Sequence, residues 1–430
     1  MNRKILALAV PSIITNITTP LLGLMDVGFV GHMGSPVYIA AIAAGGTVFN
    51  MIYWLFGFLR MGSSGLTAQA FGAGDRRGEL CVFWRAMTLA LQAGLLLILL
   101  SFPAGRLIMR FLEIDAETSA LALRYFSILI WGAPAVLATY AMTGWFLGMQ
   151  NARAPMWISI LINVANIAVS MWLVAGVDMK IEGVAIGTLT AQWLGFVAGM
   201  IVFWCKYRLP LPSLVEITDS SGLRRFFSVN TDIFLRTLCL VAVTVWFTRA
   251  GAMQGTDMLA VNTLLMQFFM IFSFFMDGFA FSGEALVGRY TGAADLPMLH
   301  RCIKALFMWS GGIAAVFALV YWLGGSVLLS LLSGDTQIQS IALGYLHWAV
   351  LIPALSFPAF CWDGIYIGAT DTRAMLAAMA GAMAVFFILY FLLSPHCGNN
   401  GLWIAFLSYL TVRGLVLTLC SRRIYRGYRR

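Results

Sequence analysis

The chain has 430 residues, 61% of them hydrophobic and only 10% charged, and its mean hydropathy is +0.87. Soluble domains carry roughly 25% charged residues, so this composition excludes a soluble protein and indicates one integral to the membrane. The formal net charge of +9 invites a nucleic-acid reading, which the placement of the charges argues against.

Apolar segments recur along the whole length. A spanning helix needs about 20 residues, so a chain of this size with short loops holds about twelve. Barrel strands would be shorter and would alternate apolar with polar residues, and that alternation is absent. The expected spans are 8–31, 38–60, 84–104, 120–147, 155–176 and 182–205, then 226–249, 258–281, 303–332, 338–368, 374–394 and 400–420. Lys206 to Arg225, with Pro210 and Pro212, reads as a linker. The expected organisation is therefore a six-helix lobe over 1–205, a linker over 206–225 and a second six-helix lobe over 226–430.

The first span carries a carboxylate, Asp26, with no cation near it in sequence. A charged side chain at the bilayer centre costs at least about 2.5–3.5 kcal/mol, which makes an intramembrane acid a functional candidate. Asn16, Thr19, Gly23 and Asp26 follow at spacings of three, four and three, which puts them on one helix face. Pro20 interrupts that helix, where a bend or a freed carbonyl is expected. The plainer alternative places Asp26 at the membrane surface, because the apolar run continues only through Val27, Phe29 and Val30. The apolar segment after Arg3 and Lys4 runs on through Asp26, so it reads as an uncleaved first helix and not as a signal peptide.

With the N-terminus in the cytoplasm, Arg3, Lys4, Arg76, Arg77, Arg85, Arg153, Lys206, Arg208, Arg224, Arg225, Arg301, Lys304, Arg373 and the terminal arginines gather on one side. The other side receives chiefly Arg106, Arg110, Lys180 and Arg249. This is the positive-inside bias, and it predicts both termini in the cytoplasm. The basic excess then serves anionic lipid head groups, and no nucleic-acid partner is expected.

The two halves repeat. A shift of 220 positions lays Phe71-Gly72-Ala73-Gly74-Asp75 on Thr291-Gly292-Ala293-Ala294-Asp295, Gly31 on Gly251, Ala40 on Ala260, Gly148 on Gly368 and Arg153 on Arg373. Gly183 meets Gly401 after a two-residue loop difference. Six spans precede the linker, so the halves share one orientation, as in transporters built from parallel repeats around a central cavity. The same shift sets Asp26 on Trp246, so the acid belongs to one half only.

On the fifth span Asn163, Asn166 and Ser170 share a face, with Thr188 and Gln192 one turn apart on the sixth. Such groups serve either as packing contacts between helices, worth about 0.6 kcal/mol each, or as the lining of the cavity that holds Asp26. Asp232 and Arg236, one turn apart on the seventh span, read as a buried intrahelical ion pair. Asp277 on the eighth span and Asp363 on the tenth have no local partner, and they form a candidate second cation site. Met and aromatic residues are plentiful; these adapt to varied ligands and attract organic cations, but their number alone demonstrates no drug binding.

Enzyme readings fare poorly. Gly283 to Gly288 has the outer spacing of a phosphate-binding loop without its Lys-Ser/Thr ending. The four histidines, at 32, 300, 347 and 396, have no metal-ligand spacing, and the seven cysteines no partnered one. No nucleotide-binding module is present, so an ion gradient is the expected driving force. No cofactor or metal is expected.

Taken together, Pro20-Leu-Leu-Gly-Leu-Met-Asp26, Gly31-His-Met-Gly-Ser-Pro-Val-Tyr38, Gly65-Leu-Thr-Ala-Gln-Ala-Phe-Gly-Ala73, Asp232-Ile-Phe-Leu-Arg236, Asp277-Gly-Phe-Ala280 and Asp363-Gly-Ile-Tyr-Ile-Gly-Ala369 resemble the multidrug and toxic compound extrusion (MATE) family, in its DinF-like branch. The resemblance covers nearly the whole chain. It implies two six-helix lobes around a V-shaped cavity and alternating-access efflux of organic compounds, often cationic, against inward H+ or Na+. It also implies a proton or cation role for Asp26, cavity positions for Asn166 and Thr188, and cation binding at Asp363 as in another branch. One departure stands out: where the family commonly has a second aspartate, this chain has Ser170.

The combined expectation is a monomeric, multi-pass transporter of a bacterial-type inner membrane. It exchanges a proton taken up at Asp26 for a lipophilic, often cationic, small molecule, with Asn16, Thr19, Asn163, Asn166, Ser170 and Thr188 lining the cavity. The alternatives are Na+ coupling centred on Asp277 and Asp363, and a flippase for lipid-linked precursors. The flippase would need a cationic groove for a diphosphate, for which the interior Arg236 and Arg413 are too few.

Overall fold

The computed structural model describes residues 1–31, 36–111, 116–177, 179–208 and 212–426; the side chains of residues 19, 21–31, 36, 39, 44, 102–111, 116, 214 and 426 lie outside that description. In chain order the helices are α1 (Asn2–Gly31), α2 (Pro36–Leu55), α3 (Phe58–Ala73), α4 (Arg76–Phe111), α5 (Ala116–Leu129), α6 (Ala133–Gly148), α7 (Arg153–Met171) and α8 (Ile181–Val202). There follow α9 (Leu214–Ile217), α10 (Ser220–Ala252), α11 (Thr256–Gly292), α12 (Leu296–Leu332), α13 (Thr336–Ala369), α14 (Thr372–Cys397), α15 (Asn399–Cys420) and α16 (Arg422–Arg426). Hydrocarbon offers backbone N–H and C=O groups no partner, so a spanning chain of this kind must satisfy them within each helix. Eleven spans among the described residues are long and apolar enough to cross a membrane. The 30-residue α1 precedes them.

Several helices run well past their expected spans. α11 and α12 each have 37 residues and α4 has 36. The expected spans keep to about the length a bilayer requires, but a formed helix gains one hydrogen bond per added residue and extends into water, where Arg76 and Arg77 are exposed. The expected linker is likewise shorter than its composition implies, because α9 lies within it and α10 starts at Ser220. Ser213 and Glu216 cap α9 reciprocally: Ser213 N–H donates to the Glu216 carboxylate (2.8 Å) and Glu216 N–H to Ser213 Oγ (3.3 Å). These hydrogen bonds from Ser213 hold the Glu216 carboxyl below the usual carboxylate range. At the other end of α9, Arg85 donates to the carbonyls of Glu216 (2.9 Å) and Ile217 (2.8 Å).

The repeat is visible in the backbone itself. Gly74 (φ 70°) and Ala294 (φ 54°) are left-handed, as are Gln150 (φ 61°) and Thr370 (φ 54°), and each pair is 220 residues apart. All four end a helix in the same way: the N–H of the next residue reaches back five positions, as from Asp75 to Ala70 O (2.9 Å) and from Asp295 to Tyr290 O (3.0 Å). The Asp75 and Asp295 carboxylates then cap the following helix by accepting from Gly78 N–H (2.9 Å) and Met298 N–H (3.1 Å). A left-handed residue followed by a capping acid reverses the chain within a few residues. Helix packing repeats too. The absent side chain of Gly144 admits the carbonyl of Arg60, and that of Gly364 admits the carbonyl of Ala280, again at a shift of 220.

The chain divides into two compact units. The first comprises Ile14–Phe71 and Asp75–Phe227; the second comprises Met1–Ile13, Gly72–Gly74 and Ser228–Arg430. In the first unit α4 packs on α6 and α7 on α8. Trp145 is fully buried there and donates from Nε1 to Glu79 O (2.9 Å), while its ring meets Phe83 and Phe203 edge-on. In the second unit the equivalent pairs are α12 with α13 and α14 with α15. Its core gathers Phe247, Phe268, Phe272, Phe386, Trp403 and Phe406. Asn262 and Asn399 exchange amide hydrogen bonds (2.8 and 2.9 Å), and Trp403 Nε1 donates to Asn262 (2.9 Å). The start of α1 belongs to this unit, with Ser282 Oγ donating to Ile5 O (3.1 Å).

Replacing Gly364 by Val should lower the unfolding midpoint in detergent, because its Cβ falls on the carbonyl of Ala280. Overpacking of that kind costs about 1–3 kcal/mol or more. Gly381→Ala, with open space around its Cβ, should leave the midpoint unchanged or slightly raised. Equal effects of the two variants would refute the close-packing account.

Candidate functional site

In the first unit the polar face of α7 divides between two neighbours. Asn163 Nδ2 donates to the carbonyl of Thr18 on α1 (3.0 Å), and the Thr18 and Ser159 hydroxyls bond to each other (2.9 Å). One turn further along α7, Asn166 Nδ2 donates to Thr188 Oγ1 on α8 (2.7 Å), and Thr188 donates to Val184 O (3.0 Å). Asn166 and Ser170 are both 0% exposed. The Ser170 hydroxyl lies against Gly187, where any Cβ would collide with it, and it has no hydrogen-bond partner among the described residues. Asn163, Asn166, Ser170 and Thr188 thus share one connected region of α7 and α8, with α1 tied to it through Thr18.

Asn16 is half-buried on α1. Asp26 is carried on the backbone of the same helix, but its side chain and that of Thr19 lie outside the described residues. Pro20 withholds the N–H that would otherwise bond the Asn16 carbonyl. Thr18 and Ser159 escape the sequence reading. Thr18 lies off the 16–19–23–26 face, and the one available signal was that Ser159 sits a turn before Asn163.

The second unit holds a different constellation. Asp363 on α13 accepts through Oδ2 from both Arg236 on α10 and Arg413 on α15, the latter at 2.6 Å. All three side chains are buried. Arg413 also lies 5.6 Å over the Phe360 ring. Tyr409 donates to Met379 Sδ (3.0 Å). Sequence spacing assigns Arg236 to Asp232 within one helix, yet Arg236 reaches across to Asp363 and Asp232 accepts from Thr372 Oγ1 (2.7 Å). The cross-helix pair wins because it brings together charges that would otherwise each be buried alone. Two unit charges 4 Å apart attract by about 4 kcal/mol at an effective dielectric of 20. Removing one partner of such a buried group typically costs about 3–5 kcal/mol.

Of Asp277 and Asp363, named from sequence as a candidate second cation site, Asp363 is therefore engaged by two arginines. Trp246, the repeat counterpart of Asp26, packs edge-on against Phe387, Tyr390 and Phe391, with ring centroids 5.5–5.9 Å away. The second half thus has an aromatic cluster where the first has its acid.

Comparison with known proteins agrees with this architecture. The MatE family model matches residues 11–172 and again 232–392, one match in each half. The chain is 37% identical over 426 residues to DNA damage-inducible protein F of Escherichia coli K12, covering 98% of this chain and 92% of that protein. It is 27% identical to a probable multidrug resistance protein NorM of Bradyrhizobium diazoefficiens, covering 98% and 93%. A crystal structure of a MATE protein in the bent conformation superposes with a TM-score of 0.90 at 19% identity, covering 99% of this chain and 96% of that one. A MOP-superfamily transporter from Pyrococcus furiosus superposes at 0.87 with 18% identity and the same coverage. At those identities the structures speak for the fold alone. The repeated match to the family model and the full-length relative at 37% identity establish the family: this chain is a member of the MatE family of membrane transporters, and not an enzyme.

Proposed function

We propose that the protein is a multidrug efflux antiporter that exchanges an inbound proton for an outbound lipophilic, often cationic, organic compound by alternating access. Asp26 takes the proton. The observation that carries this reading is the tie from Thr18 on α1 to Asn163, which joins the helix bearing Asp26 to the polar face of Asn166, Ser170 and Thr188. A carboxylate in hydrocarbon is disfavoured in its charged form, so it binds either a proton or a cationic ligand, and the two compete. Each 100 mV of membrane potential supplies about 2.3 kcal/mol per charge moved. The resemblance to a NorM-type multidrug resistance protein supports the substrate class. The basic residues gathered at one face of the sequence support an inner-membrane orientation with both termini cytoplasmic.

Ser170 stands where a second carboxylate is common in the family, so Asp26 carries the titration of the first unit alone. A Na+-coupled mechanism centred on Asp277 and Asp363 is less well supported, because Asp363 already accepts from Arg236 and Arg413.

In proteoliposomes, Asp26→Asn should reduce proton-driven efflux to the level of protein-free vesicles. Efflux retained by that variant would sink the mechanism. In everted vesicles, uptake of a fluorescent cationic dye should follow the pH gradient and be unchanged when choline replaces Na+ at fixed pH. Uptake that stops in choline would instead identify Na+ as the driving ion.

A further inference from the structure

We propose that Arg236 and Arg413 act as built-in cations of Asp363 and close the second unit to alkali ions, which makes them determinants of coupling-ion choice. The inference rests on the proton-coupled reading above and explains what enforces it. Asp363 is buried, and its Oδ2 already accepts from two guanidinium groups. Its other oxygen, Oδ1, has no hydrogen-bond partner among the described residues, so a lone-pair set remains where a mobile cation would bind. That oxygen belongs to the same carboxylate as Oδ2, however, so an arriving ion meets the repulsion of both arginines. A guanidinium stays charged at every physiological pH, so both arginines remain as cations beside the carboxylate.

The arginines are also held in place. Arg413 is held by its bond to Asp363 (2.6 Å) and by the Phe360 ring face, 5.6 Å away. Arg236 enters from α10 and Arg413 from α15, so the carboxylate on α13 is approached from two helices at once. Asp232, the remaining acid of α10, is engaged by Thr372 and does not take Arg236 away from Asp363. The repeat underlines the assignment. At a shift of 220, Arg236 and Asp363 fall on Asn16 and Thr143, and at the 218 of the last helices Arg413 falls on Gly195. None of these is charged, so the ion cluster was built into the second half alone.

The test uses the purified full chain in detergent, with NaCl compared against choline chloride at fixed pH and ionic strength. For the wild type, the unfolding midpoint should be the same in both salts, and radioactive sodium should show no saturable binding. In Arg413→Met, Asp363 gains access to a mobile cation. Sodium should then raise the midpoint above its value in choline in a saturable way, a response the wild type lacks, because one neighbouring like charge has been removed. Adding Asp363→Asn to that variant should abolish the response. Arg236→Met gives the same reading should Arg413→Met not fold. Sodium-specific, saturable stabilisation of the wild type that disappears in Asp363→Asn overturns the proposal, as does a folded arginine variant that stays indifferent to sodium. Sodium binding to a wild type that still loses proton-driven efflux in Asp26→Asn refutes this inference alone. Loss of proton drive from the wild type without sodium binding refutes the antiport reading instead.

Discussion

Everything in this fold follows from one constraint: inside hydrocarbon, each backbone N–H and C=O must find its partner within the chain. Helices meet that requirement locally, so the chain is helical nearly throughout, and its corners must be short and internally bonded. Those at Gly74–Asp75, Gln150–Asn151, Ala294–Asp295 and Thr370–Asp371 meet it with a left-handed residue and a back-reaching N–H. Three of the four use residues other than glycine, which accept a left-handed conformation at some cost. The corner geometry outweighs that cost. Close helix approach is the second consequence, since glycines such as Gly144 and Gly364 let one helix rest on the carbonyls of another.

The repeated backbone carries unlike chemistry in its two halves. The first unit arranges neutral amides and hydroxyls on α7 and α8, tied to the helix that bears Asp26. The second arranges full charges, two arginines on one aspartate, in an otherwise aromatic core. A neutral hydrogen-bonded face can rearrange at low cost when a proton or a ligand arrives. A buried ion cluster cannot, because separating any member leaves an uncompensated charge in a low dielectric. The repeated scaffold thus carries yielding chemistry in one half and fixed chemistry in the other.

The legibility of the site follows the same division. Asn163, Asn166, Ser170 and Thr188 were readable because helical spacing alone groups them. Thr18 and Ser159 were not, since their bond crosses from α1 to α7, 141 positions apart. For Arg236 the nearest acid in sequence, Asp232, suggested the wrong partner, while Asp363 lies 127 positions away. Ion pairing is decided by proximity after packing, and sequence spacing reports proximity only along one helix.

By itself, the sequence determined the membrane class, the number of spans, the register of the repeat and the candidate acids. Each of these rests on hydropathy, on periodicity or on a shift that needs no third dimension. The tertiary structure alone decided the true helix lengths, the α9 turn inside the linker and the guanidinium groups on Asp363. The reason is physical. Burial and charge pairing depend on which helices become neighbours, and that is settled by packing glycines and small residues against distant backbone, not by any local pattern.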